Sequence, residues 1–227
     1  MKLVTYATHS FGTYDQLINS GHPIVVLGWG TKWNGFMDKF KTIRKYLDTL
    51  DDDEIVVFLD GFDSVINKSL DSLENDFKSF DCKVLVSHDS LNVLPMHDYM
   101  RTKIFGTCKN NKTANTGLYM GYVSHLKIVL DKNISGTSDD DQINFNQLCQ
   151  HFQFIKVDDE KIIFENCESV EHVSKSKSYF SQMPGTISTS RVTRAIKEYS
   201  KYFWIEIFIF ILFLLIIGYY IFKVSRN

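Results

Sequence analysis

Two kinds of segment alternate along the chain. Short segments are apolar at consecutive positions, as in IVVFLD from Ile55, and such runs are typical of parallel strands buried on both faces. Between them, FMDKFKTIRKYLDTL from Phe36 spaces its apolar residues three or four positions apart, which predicts a helix. This alternation is typical of βαβ units. It predicts one open α/β domain with a mostly parallel sheet flanked by helices.

The same pattern locates the remaining elements of this domain. The predicted strands are residues 2–8, the segment from Ile24, residues 54–60, the apolar part of 82–90, the start of 117–130, and residues 152–158 and 161–167. The predicted helices are residues 36–50, residues near 70–80, the later part of 117–130, and the segment that begins with the carboxylates at Asp139. Residues 173–190 are rich in Ser, Thr and Lys and contain Pro184-Gly185, which favours a linker.

The C-terminal part has a different pattern. Residues 202–222 are apolar over a length that can cross a bilayer as a helix, with aromatic residues near both ends. More basic residues precede this segment than follow it: Arg191, Arg194, Lys197 and Lys201 against Lys223 and Arg226. The positive-inside bias therefore favours a cytoplasmic N-terminal domain. We predict the α/β domain at 1–172, a linker and basic helix at 173–201, and a single-pass C-terminal anchor at 202–222.

Composition narrows the possible partners and the compartment. The formal net charge of −2 argues against nucleic acid as a partner. The four cysteines, Cys82, Cys108, Cys149 and Cys167, contain no C-x-x-C pair. This spacing favours buried thiols over a zinc site or a disulfide framework, and it indicates a reducing compartment. The first residues lack the apolar run of a signal peptide, so entry to the secretory route is not predicted.

Two carboxylates at the end of a predicted central strand are the first candidate for chemistry. Asp60 ends the strand, Gly61 permits a tight turn, and Asp63 lies in that turn. Ligands of open α/β sheets bind beyond the carboxyl ends of strands. Both carboxylates could therefore bind one hard cation, leaving positions for diphosphate oxygens. The alternative is that Asp63 caps the next helix and Asp60 is a turn residue.

Several segments, in one order from about residue 2 to 166, resemble the glycosyltransferase domain of procollagen lysyl hydroxylases. They are VTYAT, LGWGTKWNGF, DKFKTIRKYL, VFLDGFDSVI, NTGLYMGY, DDDQINF and IIFEN. The resemblance implies a GT-A-type fold, a manganese ion and a uridine diphosphate (UDP) sugar as donor. By position, Asp60 and Asp63 would be the metal ligands, Thr5 and Ala7 would lie near the uridine, and Lys39 would reach toward the donor phosphates.

The resemblance also implies residues on the sugar and acceptor side. Asn115, Thr116 and Gly117 would line this side, and Asn115 could instead be a turn residue. The run Asp139, Asp140 and Asp141 would meet the acceptor, where a carboxylate could orient a hydroxyl or act as general base. One of the three could instead cap the helix that follows.

The chain also departs from the family. No segment matches the family's third metal ligand, a histidine in a His-Gly-Asn-Gly segment, and SHDSLNVLP stands in place of its Cys-Trp-Pro loop. The favoured function is a membrane-anchored, manganese-dependent transferase that moves galactose or glucose from a UDP-sugar to a hydroxyl of a protein or glycan. A hydroxylysine of a collagen-like protein is one such acceptor. The alternatives are a degenerate GT-A fold acting as a membrane-tethered scaffold and a nucleotide-sugar hydrolase.

Overall fold

The computed structural model describes residues 1–90, 95–167, 169–183 and 189–225. The chain divides into two compact units, Met1–Thr186 and Ile187–Asn227. The first contains both β-sheets and seven helices among the described residues, and the second contains a single long helix.

The elements follow one another in the alternating order that the sequence predicts. The strands are β1 (Lys2–Tyr6), β2 (Ile24–Leu27), β3 (Ile55–Asp60), β4 (Ser64–Ile66), β5 (Val84–His88), β6 (Ala114–Tyr122), β7 (Ile155–Asp158), β8 (Phe164–Asn166) and β9 (Phe180–Gln182). The helices are α1 (Tyr14–Ile18), α2 (Phe36–Leu47), α3 (Leu73–Ser79), α4 (Pro95–Phe105), α5 (Val123–Ile134), α6 (Asp141–Cys149), α7 (Val170–Lys175) and α8 (Thr189–Ser225).

Six strands form the central sheet in the order β2-β1-β3-β6-β5-β7. β6 runs antiparallel to both of its neighbours, and the other pairings are parallel. The prediction of an open, mostly parallel α/β sheet is therefore confirmed. Because β1 and β3 are parallel neighbours, their carboxyl ends lie at one edge of the sheet, with Tyr6 beside Asp60.

The continuous apolar run of β3 is explained by burial on both faces. Val56 and Phe58 pack in one core cluster with residues of α2, α5 and α6, whereas Val57 and Leu59 pack in the other with residues of α1, α3 and the smaller sheet. Successive strand residues point to opposite faces, so a strand covered on both sides needs apolar residues at every position.

The smaller sheet has the strand order β4-β9-β8 and corrects the predicted linker. Residues 173–183 contain the end of α7 and all of β9, and Phe180 and Ser181 are fully buried. The Ser-rich composition suggested a loop, but the Ser181 hydroxyl accepts a hydrogen bond from Asn67 Nδ2 at 2.6 Å. The domain therefore extends beyond the predicted boundary at residue 172. The predicted Pro184-Gly185 break lies outside the described residues.

Helix α8 contains the predicted membrane segment. Tyr202–Tyr219 has a mean hydropathy of 2.3 and is not buried within the structure. By length and composition, it is long and apolar enough to cross a membrane. Arg226 lies outside the described residues, and the structure describes only the backbone of the other basic residues that predict the orientation: Arg191, Arg194, Lys197, Lys201 and Lys223.

The prediction that all four cysteines are buried thiols is wrong for two of them. Cys108 and Cys149 form a disulfide across 41 positions, whereas Cys82 and Cys167 remain buried thiols. Cys149 ends α6 and Cys108 lies in the loop between α4 and β6. Tertiary packing joins the two, so no local spacing motif could reveal the pair. The disulfide also removes the cysteine-based argument for a reducing compartment.

This pairing predicts how many cysteines can be alkylated. Protein that is denatured and alkylated without a reductant should carry two labels, and prior reduction should raise this to four. Mass spectrometry of the intact chain counts the labels. Burial raises the pKa of Cys82 to about 12, so its thiol should resist labelling in the native protein at neutral pH. Four labels on unreduced protein would contradict the disulfide.

Candidate functional site at the end of the third strand

The turn after β3 is built around a close approach between two strand ends. The Phe62 N–H donates to Asp60 Oδ1 at 3.3 Å, and the Met183 N–H donates to the Asp63 carbonyl at 2.9 Å. A Cβ at Gly61 would lie 2.7 Å from the Tyr6 carbonyl oxygen, so only glycine fits there. These contacts fix the Asp60–Asp63 turn against β1 on one side and β9 on the other.

A buried ammonium group lies among the predicted acidic residues. Lys39 Nζ is 3.0 Å from Asp141 Oδ2 and 3.9 Å from Asp60 Oδ2, and the Lys39 side chain is 6% exposed. Burial alone would lower the pKa of Lys39, but the charges of Asp141, Asp60 and Asp63 outweigh burial and raise it. Three predicted acidic residues, Asp60 and Asp63 of the β3 turn and Asp141 of α6, thus act on the one ammonium group of Lys39 in α2, and these four residues form the Lys39 cluster.

The three consecutive aspartates have different environments. Asp141 is buried, and its Oδ2 also accepts a hydrogen bond from the Thr116 hydroxyl at 2.9 Å. Asp140 caps α6, because its Oδ1 accepts from the backbone N–H groups of Gln142 and Ile143. Burial, together with the nearby charge of Asp141, raises the pKa of Asp140. Asp139 is exposed. Asp141 therefore belongs to the Lys39 cluster, whereas Asp140 is the N-terminal cap of α6.

Asn115 belongs to a second buried polar cluster that the sequence did not reveal. Asp89, whose side chain is fully buried, accepts hydrogen bonds from Asn115 at 3.1 Å, Gln142 at 2.6 Å and Arg101 at 2.5 Å. The Asn115 Oδ1 in turn accepts from the Gly117 N–H at 2.8 Å. Asn115 is thus held on both sides of its amide. Arg101 lies in α4, which the apolar pattern did not predict.

Thr5 and Ala7, at the end of β1, lie next to Gly61 in the turn after β3. Both are fully buried, and the Thr5 hydroxyl donates to the Leu59 carbonyl at 2.7 Å. A Cβ at Gly61 would lie 2.9 Å from both Thr5 Oγ1 and Ala7 Cβ. Their side chains therefore pack against the strand end. Their predicted contact with uridine remains a prediction.

Gln182 of β9 is a further residue at this edge, within the segment that was interpreted as a linker. Its side-chain amide occupies the space where a Cβ at Gly117 would lie, which explains the glycine. Gln182 is 4% exposed, and its Oε1 accepts no hydrogen bond from the described residues. A buried acceptor without a donor costs free energy, and a bound ligand with a hydroxyl group would satisfy it.

We expect that replacing Lys39, the cation of the Lys39 cluster, will strongly lower the stability of the protein. Replacing Lys39 with Met should lower the free energy of unfolding by about 3–5 kcal/mol, because Asp141 would stay buried without a counter-charge. Chemical denaturation of the full chain measures this. Lys41→Met, on the exposed face of the same helix, is the matched control and should change stability by less than about 0.5 kcal/mol. Equal stability of the two variants would argue against a structural ion cluster.

A structure of a glycosyltransferase involved in glycosylation of the major capsid of PBCV-1 is similar, with a TM-score of 0.54 and 13% identity over 85% of this chain and 97% of that chain. The galactosyltransferase LgtC, solved with donor and acceptor sugar analogues, has a TM-score of 0.48 and 12% identity over 89% of this chain and 95% of that chain.

At 13% identity, the similarity to the PBCV-1 glycosyltransferase establishes the fold alone. A comparison with curated proteins found no match to this sequence. The model of the PLOD GT domain, the glycosyltransferase domain of lysyl hydroxylases, matches residues 1–187. This match covers most of the chain and confirms the resemblance found in the sequence. The chain therefore belongs to the family of lysyl hydroxylase glycosyltransferase domains.

Proposed function

We propose that this protein transfers galactose or glucose from a UDP-sugar to an acceptor hydroxyl, with Mn²⁺ as the metal ion. The acceptor belongs to a protein or glycan, and hydroxylysine of a collagen-like protein is the acceptor that family membership favours. One observation carries the proposal. A single buried cation, Lys39, lies 3.0 Å from Asp141 and 3.9 Å from Asp60 at the carboxyl end of a central strand, where α/β sheets bind ligands.

The residues of the β3 turn fit a metal ion. Asp60 Oδ2 lies 3.9 Å from the Lys39 ammonium, so this carboxylate already faces a positive charge, and Asp63 follows it in the same turn. Carboxylate oxygens are the ligands that Mn²⁺ and other hard cations prefer. A bound ion would neutralise charge on the leaving diphosphate. Gly61, between the two carboxylates, lets the turn pack closely against the end of β1.

The other residues of the site have complementary tasks in this proposal. Lys39 remains beside Asp141 and adds positive charge near the donor phosphates. Gln182 Oε1 and the fixed amide of Asn115 offer polar atoms to sugar hydroxyls. Asp139 and Asp141 lie on the acceptor side, and Asp140 holds the start of α6 in place. Thr116 orients the Asp141 carboxylate, and Gly117 leaves room for Gln182.

We further propose that α8 anchors the protein in a membrane as a single-pass C-terminal helix. The apolar stretch Tyr202–Tyr219 supports this. The larger number of basic residues before residue 202 supports a cytoplasmic catalytic domain.

Loss of either carboxylate at the β3 turn should abolish most activity. We expect Asp60→Asn and Asp63→Asn to lower Mn²⁺-dependent transfer by about 100-fold or more, because the ion loses a charged ligand. The full chain would be assayed in detergent with UDP-galactose and UDP-glucose, and both released UDP and glycosylated product would be measured. Asp51→Asn, in an exposed loop, is the matched control and should retain wild-type activity.

Three results would contradict parts of this assignment. Full activity in Asp60→Asn or Asp63→Asn would exclude these ligands. UDP release without a glycosylated product would indicate a hydrolase. An inactive wild type whose melting temperature does not rise with UDP and Mn²⁺ would favour a scaffold, since a ligand that binds the native state must stabilise it.

The proposed membrane anchor can be tested by membrane extraction, and the proposed orientation by protease protection. The full chain should stay with membranes after alkaline carbonate extraction. In intact vesicles with the cytoplasmic face outward, added protease should remove an N-terminal tag and spare a C-terminal one. Detergent should expose both tags, which controls for protease resistance. Protection of the N-terminal tag before detergent would reverse the proposed orientation.

A further inference from the structure

A group of three potential metal ligands lies in the smaller sheet, outside the Lys39 cluster. One ligand atom each from Glu165, Cys167 and His172 lies within 4.8 Å of the other two. Glu165 is in β8, Cys167 directly follows that strand, and His172 is in α7. Among the described residues, the carboxylates Asp60, Asp63 and Asp141 do not form such a group.

Because side chains alternate between the two faces of a strand, the potential ligands near β8 lie on the face opposite the central sheet. Asn166 Nδ2 donates to the His88 carbonyl at 2.6 Å, so the Asn166 side chain faces β5. Its neighbours Glu165 and Cys167 must then face the opposite side of the strand. The Cys167 N–H donates to the Gln182 carbonyl at 2.7 Å, which continues the pairing of β8 with β9. Sheet pairing therefore fixes two of the three candidate ligands.

The third ligand is placed by a helix cap. The Ser169 hydroxyl accepts a hydrogen bond from the His172 N–H at 3.1 Å and begins α7. This places His172 Nε2 3.2 Å from Glu165 Oε1. Lys161 Nζ lies 3.5 Å from the same oxygen, so a bound metal ion would replace this contact. The Cys167 Sγ lies 4.0 Å from the Glu165 carbonyl oxygen, so the sulfur lies beside the contact between Glu165 and His172.

Burial and exposure are consistent with an accessible metal site. Cys167 is 2% exposed, whereas the side chains of Glu165 and His172 are 13% and 25% exposed. A metal ion can thus reach the group from the side of the carboxylate and imidazole. The sulfur lies in an environment where it is shielded from water.

We propose that Glu165, Cys167 and His172 bind a Zn²⁺ ion, with water as the fourth ligand. Thiolate, imidazole and carboxylate are the three side-chain ligands that zinc uses, and three protein ligands with one open position are common. Binding forms the zinc–sulfur bond and releases the proton of the Cys167 thiol, while His172 binds as the neutral imidazole. The ion would join α7 to β8, beside the β9 strand that carries Gln182.

Cobalt substitution tests the site directly. The full chain in detergent would be stripped of metal with a chelator and titrated with Co²⁺. Bonding to Cys167 should produce a thiolate-to-cobalt charge-transfer absorption at one equivalent, and Zn²⁺ should displace it. Cys167→Ser should lose this absorption. Cys82→Ser, which removes the other buried thiol, is the matched control and should keep it.

Two more variants separate this site from the proposed manganese site and from a folding defect. His172→Ala should weaken Zn²⁺ affinity at least about tenfold, since even outer partners of zinc ligands contribute that much. Asp60→Asn should leave the absorption unchanged, so this result is independent of transferase activity. A wild type without the absorption, or a Cys167→Ser protein that retains it, would overturn the proposal.

Discussion

The buried ammonium of Lys39 is the interaction on which the site depends. An isolated charge in the interior is costly, and it is tolerated only when opposite charges and hydrogen bonds compensate it. Here Lys39 of α2 contacts Asp141 of α6 and, less closely, Asp60 of β3. Without a cation, these carboxylates would repel one another. One positive charge therefore connects three elements and keeps their acidic groups at one edge of the sheet.

A second buried carboxylate extends this arrangement. Asp89 follows β5 and is neutralised by Arg101 of α4, and its remaining hydrogen bonds come from Asn115 and Gln142. Asp141 and Gln142 are adjacent in α6, so the two polar clusters share one helix start, which Asp140 caps. Fixed polar groups of this kind need little reorganisation when a charged ligand binds. By capping α6, Asp140 thus helps to position Asp141 in the Lys39 cluster and Gln142 in the Asp89 cluster.

The sequence predicted the parts of the site that depend on local pattern. The apolar run before Asp60 identified a central strand, and the helical spacing from Phe36 placed Lys39 on a helix. The acidic run before Gln142 predicted a helix start and one capping residue, which is Asp140.

Tertiary contacts account for what the pattern missed. Gln182 lies on a three-residue strand whose Ser-rich surroundings indicated a linker, and only its pairing with β4 and β8 orders it. Arg101 and the Cys108–Cys149 pair likewise acquire their roles through packing between distant segments. Fold class could therefore be predicted from periodicity, whereas the second polar cluster required coordinates.

The two distances from Lys39 indicate how a metal ion and this lysine can share the site. Lys39 Nζ is closer to Asp141, at 3.0 Å, than to Asp60, at 3.9 Å. The contact with Asp60 is the weaker of the two, so the proposed ion would bind Asp60 while Lys39 stays beside Asp141. In the proposed manganese site, Asp60 and Asp63 would be the charged ligands, and water and donor oxygens would take the remaining positions. The proposed metal ion and the donor should therefore bind together, because the positive ion and the negative diphosphate neutralise each other.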